Sequence, residues 1–149
     1  MEANSRLIDI LLVEDSPSDA MMTREALADS RLLSHLYTVT DGEEAIAFLR
    51  HQAGYCDVPR PGLILLDLNL PRKSGQEVLA EIKNDDQLKT IPVVVLTTSR
   101  AEDDVLKAYS MHANCYITKP VEFSKLVEVV DNIRKFWLCT ATLPPLRVG

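Results

Sequence analysis

The sequence predicts an α/β fold: five parallel strands, doubly wound, with helices on both faces in a three-layer α/β/α arrangement. Three observations carry this expectation. Leu63-Ile64-Leu65-Leu66 is apolar without polar alternation, the mark of a strand buried on both faces. Similar runs at Ile10–Val13 and Val93–Leu96 end, as that one does, on polar residues: Glu14-Asp15, Asp67 and Thr97. Between the strands lie helix-like stretches, and strands alternating with helices form a parallel sheet joined by right-handed crossovers.

Ile10–Val13 is the first strand. Ser16-Pro17-Ser18-Asp19 opens a helix, because Ser16 can cap it, Pro17 suits its first position and Asp19 complements the positive dipole end. That helix is expected to reach about Asp29. His35–Thr40 alternates loosely as a second strand, and Asp41-Gly42 turns into a helix carrying Ala45, Ile46, Phe48 and Leu49. Gln52–Gly62, with Gly54, Pro59, Pro61 and Gly62, reads as a loop. The Leu63–Asp67 strand follows, and Pro71 cannot continue it. Val78, Leu79 and Ile82 mark a helix ending near Asp85. Val93–Thr97 is the fourth strand, Asp103–Met111 a helix, and Cys115-Tyr116-Ile117 the fifth strand, closed by Lys119-Pro120. The last helix runs from about Glu122 to Trp137 or Leu138.

At 149 residues the chain is expected to form one domain, with a core over about 7–138, a tail over 139–149 and no linker to a second domain. Its net charge of -6 and 5% aromatic content argue against binding nucleic acid or an anionic membrane. Cys56, Cys115 and Cys139 are odd in number, far apart and without a CxxC pair, so neither a disulfide framework nor a zinc site is expected. The first residues lack the apolar region of a signal peptide, and no run approaches the ~20 residues of a membrane helix. A reduced, soluble, cytoplasmic protein is expected.

In open α/β sheets ligands sit beyond the carboxyl ends of the strands. Four strand ends deliver Glu14 and Asp15, then Asp67, Thr97 and Lys119 to one edge. Each residue alone fits a helix cap or a solvated charge. Together, three carboxylates repel unless a cation joins them, and an all-oxygen set suits Mg²⁺. A lysine and a threonine hydroxyl beside them suit the oxygens of a phosphoryl group, with Asp67 as the attacking nucleophile.

The acid pair Glu14-Asp15, the stretch LLDLNLP, the LTTS strand end and the Tyr116-Ile117-Thr118-Lys119-Pro120 run resemble the receiver domains of two-component response regulators, over roughly Leu7 to Phe136. The resemblance implies a flavodoxin-like, receiver-type fold with Asp67 as phosphoacceptor for a sensor histidine kinase. It implies Mg²⁺ held by Glu14, Asp15, Asp67 and the backbone carbonyl of Asn69, with Thr97 and Lys119 on the phosphoryl oxygens. It also implies a cis Lys119–Pro120 bond, and Tyr116 turning inward as a switch that remodels the face of the fourth helix and fifth strand. Glu14 stands where the family more often has Asp, and the Asp15–Asp67 segment is longer than usual, which the Gln52–Gly62 loop absorbs. The pieces RPGLILLDLNLP, VVVLTTS, NCYITK and FWLCTATLP are similar to stand-alone regulators partnered with cyanobacterial phytochromes, implying a bilin-carrying kinase.

In the last helix Phe123, Leu126, Val130, Ile133 and Trp137 form one core-facing stripe, while Val127, Val129, Phe136 and Leu138 fall outside it. Either the tail folds back over this surplus through Leu143 and Leu146, or a second subunit packs there; the resemblance implies a homodimer through Val129, Phe136, Trp137 and Leu138. Three other readings compete. An aspartyl-phosphate phosphatase usually carries a second acid two residues past the nucleophile, where this chain has Asn69. A flavodoxin-like cofactor binder needs a phosphate cradle where Glu14-Asp15 stand. A receiver-shaped docking module, never phosphorylated, does not need the full residue set.

Overall fold

The computed structural model describes residues 8–28 and 34–145. Strands β1 (Ile8–Val13), β2 (Ser34–Val39), β3 (Leu63–Leu66), β4 (Val93–Thr97) and β5 (Cys115–Thr118) alternate with helices α1 (Pro17–Leu27), α2 (Gly42–Leu49), α3 (Gly75–Lys83), α4 (Glu102–Ser110) and α5 (Phe123–Arg134). All pairings are parallel and the strand order is β2-β1-β3-β4-β5. The winding direction therefore reverses between β1 and β3, the place where ligands settle in open sheets.

β1, β3 and β4 are central and apolar on both faces. Leu11, Val13, Ile64, Leu66, Val93 and Val95 pack with α2, α3 and Ala108 of α4. Their alternates Ile10, Leu12, Leu63, Leu65, Val94 and Leu96 pack with α1 and α5. The edge strands are less enclosed: Cys115 is only half-buried, because β5 has one neighbour.

Side-chain caps start three of the helices. Ser16 Oγ accepts from Asp19 N at 3.3 Å and Pro17 occupies the first turn of α1. Asp41 Oδ1 accepts from Glu44 N at 2.8 Å, and at α3 Ser74 and Glu77 form a reciprocal capping box. The residues between α2 and β3 are the expected loop, with His51, Ala53 and Gly54 at positive φ. Tyr55 pins it, its ring centroid 5.3 Å from that of Phe48.

The chain end departs from expectation. After α5 the helix widens into a π-helical turn, Lys135–Thr140, closed by Ala141 N donating to Phe136 O at 2.7 Å. The wider turn changes the phase of the stripe. Trp137, Leu138 and also Val129 lie half-buried against the chain's own core, Phe136 stays 52% exposed, and Phe123, expected to face the core, is 54% exposed. The tail folds back as far as the loop before β3, with Pro144 and Pro145 beside Pro61, Gly62 and Pro92. Leu146 lies outside the described residues, as does Asp29 at the expected end of α1.

Candidate functional site

Backbone hydrogen bonds across the sheet fix where each strand-end side chain emerges. Glu14 N donates to Val39 O at 3.0 Å, Asp67 N to Val13 O at 3.1 Å and Lys119 N to Thr97 O at 2.6 Å. Glu14, Asp67, Thr97 and Lys119 consequently sit side by side at the carboxyl edge, all buried, while Asp15 is exposed at the rim. Gly75 lets α3 start directly beneath this edge, because any side chain there would overlap the Asp67 carbonyl oxygen and crowd Leu68 Cα.

The Lys119 ammonium ties the site together. Its Nζ lies 2.8 Å from Glu14 Oε1, 2.7 Å from Asp19 Oδ2 and 3.2 Å from Asp67 Oδ2. An ammonium has three donors, so all are engaged. The far oxygens of two carboxylates are also bonded: Ser16 N donates to Glu14 Oε2 at 3.2 Å and Asn69 N to Asp67 Oδ1 at 3.1 Å. Burial pushes the Glu14 carboxyl up to about 7, against the opposing pull of Lys119 and with a further push from the Asp67 charge. Burial alone lowers the Lys119 ammonium, but the bonds to Asp19 and Glu14 and the charges of Asp67 and Glu14 outweigh it and hold it above its ordinary range.

Glu14, Asp15 and Asp67 each offer a carboxylate oxygen, and these oxygens lie within 4.8 Å of one another. A hard divalent cation fits that donor set. Thr97 Oγ1 is fully enclosed and is the single buried side-chain polar atom among the described residues without a hydrogen-bond partner. Leaving such a hydroxyl unpaired costs about 1–3 kcal/mol, so the site has an unfilled demand for an acceptor oxygen next to a lysine and a cation-type donor set.

Tyr116 is half-buried on β5, and its hydroxyl donates to Ser99 O at 3.0 Å, linking the fifth strand to the β4–α4 loop. Ser99 is fixed in turn by its own hydroxyl, which donates to Asp104 Oδ2 at 2.5 Å. Asn69 is exposed, its N–H bonded to Asp67.

The structure corrects one expectation: no peptide bond among the described residues is cis, so Lys119–Pro120 is trans. Trans is the lower-energy form of an X–Pro bond by about 0.5–1 kcal/mol, and in it Lys119 already reaches all three carboxylates. Sequence reasoning also missed Asp19 as a member of the site, reading it only as a dipole complement. The available signal was its place in the first turn of the helix that follows β1, above the carboxyl edge of the sheet.

A family model for the response regulator receiver domain matches residues 10–131. The response regulator Rcp1 of Synechocystis sp. is 54% identical over 135 residues, covering 91% of this chain and 92% of that protein. The crystal structure of the phosphorylated cyanobacterial phytochrome response regulator RcpA matches with a TM-score of 0.92 at 54% identity, covering 94% of this chain and all of that one. The Mn²⁺-bound form of Rcp1 matches with a TM-score of 0.90 at 53% identity, over 93% and 99% of the two chains. Fold and sequence agree over most of the length: the chain belongs to the response regulator receiver domain family.

Proposed function

We propose that this chain is a cytoplasmic response regulator acting through its receiver domain. It accepts a phosphoryl group on Asp67 from a sensor histidine kinase of the phytochrome type. The observation that carries the reading is the juxtaposition of Asp67 with Lys119 Nζ at 3.2 Å, the Glu14–Asp15–Asp67 oxygen cluster and the unpartnered Thr97 hydroxyl. The kinase class rests on the likeness to Rcp1 and to the phytochrome response regulator RcpA.

Glu14, Asp15, Asp67 and the backbone carbonyl of Asn69 are the groups that would hold Mg²⁺. When bound, Mg²⁺ neutralises charge on the phosphoryl oxygens and orients them for in-line displacement. An Asp67 carboxylate oxygen forms the bond to phosphorus as the phosphorus–nitrogen bond of the donor phosphohistidine breaks, and the imidazole nitrogen keeps the electron pair. Lys119 and Thr97 bind the phosphoryl oxygens, the second satisfying a hydroxyl that otherwise has no partner. The chemistry ends on the chain's own acyl phosphate, so the product is a signalling state and not a released substrate.

Tyr116 reads that state. Its hydroxyl is held by Ser99, two residues past Thr97, so any movement of Thr97 toward the phosphoryl group displaces the tyrosine's anchor and the α4–β5–α5 face with it. A homodimer through the end of α5 and the following turn covers Phe136, with Val129, Trp137 and Leu138 at its margin.

Incubating the chain with Mg²⁺ and acetyl phosphate tests the reading. One labile phosphoryl group by intact mass, absent in Asp67→Asn, supports it. Steady release of phosphate from many phosphoesters supports the phosphatase instead.

A further inference from the structure

A divalent cation entering among Glu14, Asp15 and Asp67 meets a positive charge already there. Lys119 Nζ lies 2.8 Å from Glu14 and 3.2 Å from Asp67, two of the three carboxylates that would hold the ion. Like charges at such separations repel strongly in a buried site. The third partner of the ammonium is different. Asp19 Oδ2, at 2.7 Å the shortest of the three contacts, belongs to the first turn of α1 and not to the mutually close oxygen cluster.

We propose that Asp19 is a positioning residue for the metal-loaded state. It gives the Lys119 ammonium a carboxylate for which the cation does not compete, so the ammonium can withdraw from Glu14 and Asp67 without leaving the site. The inference rests on the metal reading above and adds a residue to it. Asp19 is placed for this role: Ser16 Oγ caps α1 through Asp19 N, so its backbone is fixed, and its side chain is 26% exposed, leaving room at the rim for the ammonium to follow. Once the cation occupies the cluster, Lys119 is held within reach of Asp67, ready for an incoming phosphoryl oxygen. Without the Asp19 charge, the ammonium has only the metal's own ligands to pair with and opposes the ion.

Calorimetric titration of the full chain with Mg²⁺ tests this, in wild type, Asp19→Asn, Asp19→Glu, Lys119→Met and the Asp19→Asn/Lys119→Met double variant. The expected result is a loss of about three- to tenfold in Mg²⁺ affinity for Asp19→Asn, recovery in Asp19→Glu, and no further loss when Asp19→Asn is added to Lys119→Met. An unchanged affinity in Asp19→Asn overturns the proposal. Equal losses with and without Lys119 also overturn it, since Asp19 would then act only as one more negative charge. Should Lys119→Met not fold, the ammonium itself decides. In the Mg²⁺-saturated protein the Lys119 Nζ resonance is expected in wild type and Asp19→Glu and lost by exchange in Asp19→Asn; a resonance indifferent to the substitution overturns the proposal. A wild-type chain that takes up no Mg²⁺ overturns the metal reading together with this one.

Discussion

The hydroxyl of Tyr116 donates to the carbonyl of Ser99 at 3.0 Å, and Ser99 lies two residues beyond Thr97, the last residue of β4. Besides the backbone pairing of the two strands, this side-chain hydrogen bond ties the fifth strand to the loop that leaves the carboxyl end of the fourth. Tyr116→Phe keeps the ring and deletes the bond. It is expected to lower stability by about 1 kcal/mol in urea denaturation and to leave phosphorylation by acetyl phosphate near wild type. A phosphorylation-dependent change in the environment of α4, read by amide chemical shifts, should shrink. An undiminished change would show that the bond does not couple the two.

Gly75 sets the distance between α3 and the site. A methyl group there collides with the Asp67 carbonyl and the Leu68 backbone, neither of which is a flexible side-chain end. Gly75→Ala is expected to destabilise the chain by roughly 1–3 kcal/mol and to weaken Mg²⁺ binding, because the Asp67 backbone must move. Thermal melting and Mg²⁺ titration check both.

The capping box at α3 has a pH signature. Hydrogen bonds from Ser74, backbone first and side chain second, hold the Glu77 carboxyl below its ordinary value of 4.5. A folded-state value below the unfolded one means the folded chain releases this proton first as pH rises. The contribution to stability is thus fully present above about 4.5 and fades as pH falls through the depressed value. Glu77→Gln is expected to flatten that part of the acid-side stability curve, and carboxyl NMR should place the Glu77 titration below that of a free glutamate. A titration at or above 4.5 contradicts the assignment.

Phe136 is the exposed aromatic at the centre of the proposed dimer face. Beyond the π-helical turn it remains 52% exposed next to Trp137, with their rings 5.2 Å apart and nearly perpendicular. Phe136→Asp is expected to convert a dimer into a monomer by light scattering while leaving the thermal melt of the monomer's own core intact, since Leu126, Val130 and Ile133 hold α5 to the sheet. A mass unaffected by the substitution removes this face as the interface.

Much of this was legible in the sequence, and the reasons are local. Val93–Thr97 appears as read because a central strand in a parallel sheet is apolar on both faces, a pattern no surface element shares. Ser16, Pro17 and Asp41 announce their helices through side-chain chemistry that acts within three residues. The strand-end residues follow from the strands. What was not legible depends on separation in sequence or on backbone phase. The Asp19–Lys119 contact spans 100 residues, and Asp19 has a sufficient local explanation as a helix-start acid. The π-helical turn puts Trp137 and Leu138 on the core together, which a constant step of ~100° per residue cannot represent. The isomer of the Lys119–Pro120 bond is separated from its alternative by so little energy that the residue pair itself does not decide it.

In the proposed function Asp67 accepts a phosphoryl group with help from a divalent cation and Lys119. Intact-mass spectrometry of the chain after incubation with acetyl phosphate, with Mg²⁺ and again with EDTA, tests it most directly. One added phosphoryl group is expected with Mg²⁺, none with EDTA and none in Asp67→Asn. A phosphoryl group that persists in Asp67→Asn, or none in the Mg²⁺-loaded wild type, would contradict it.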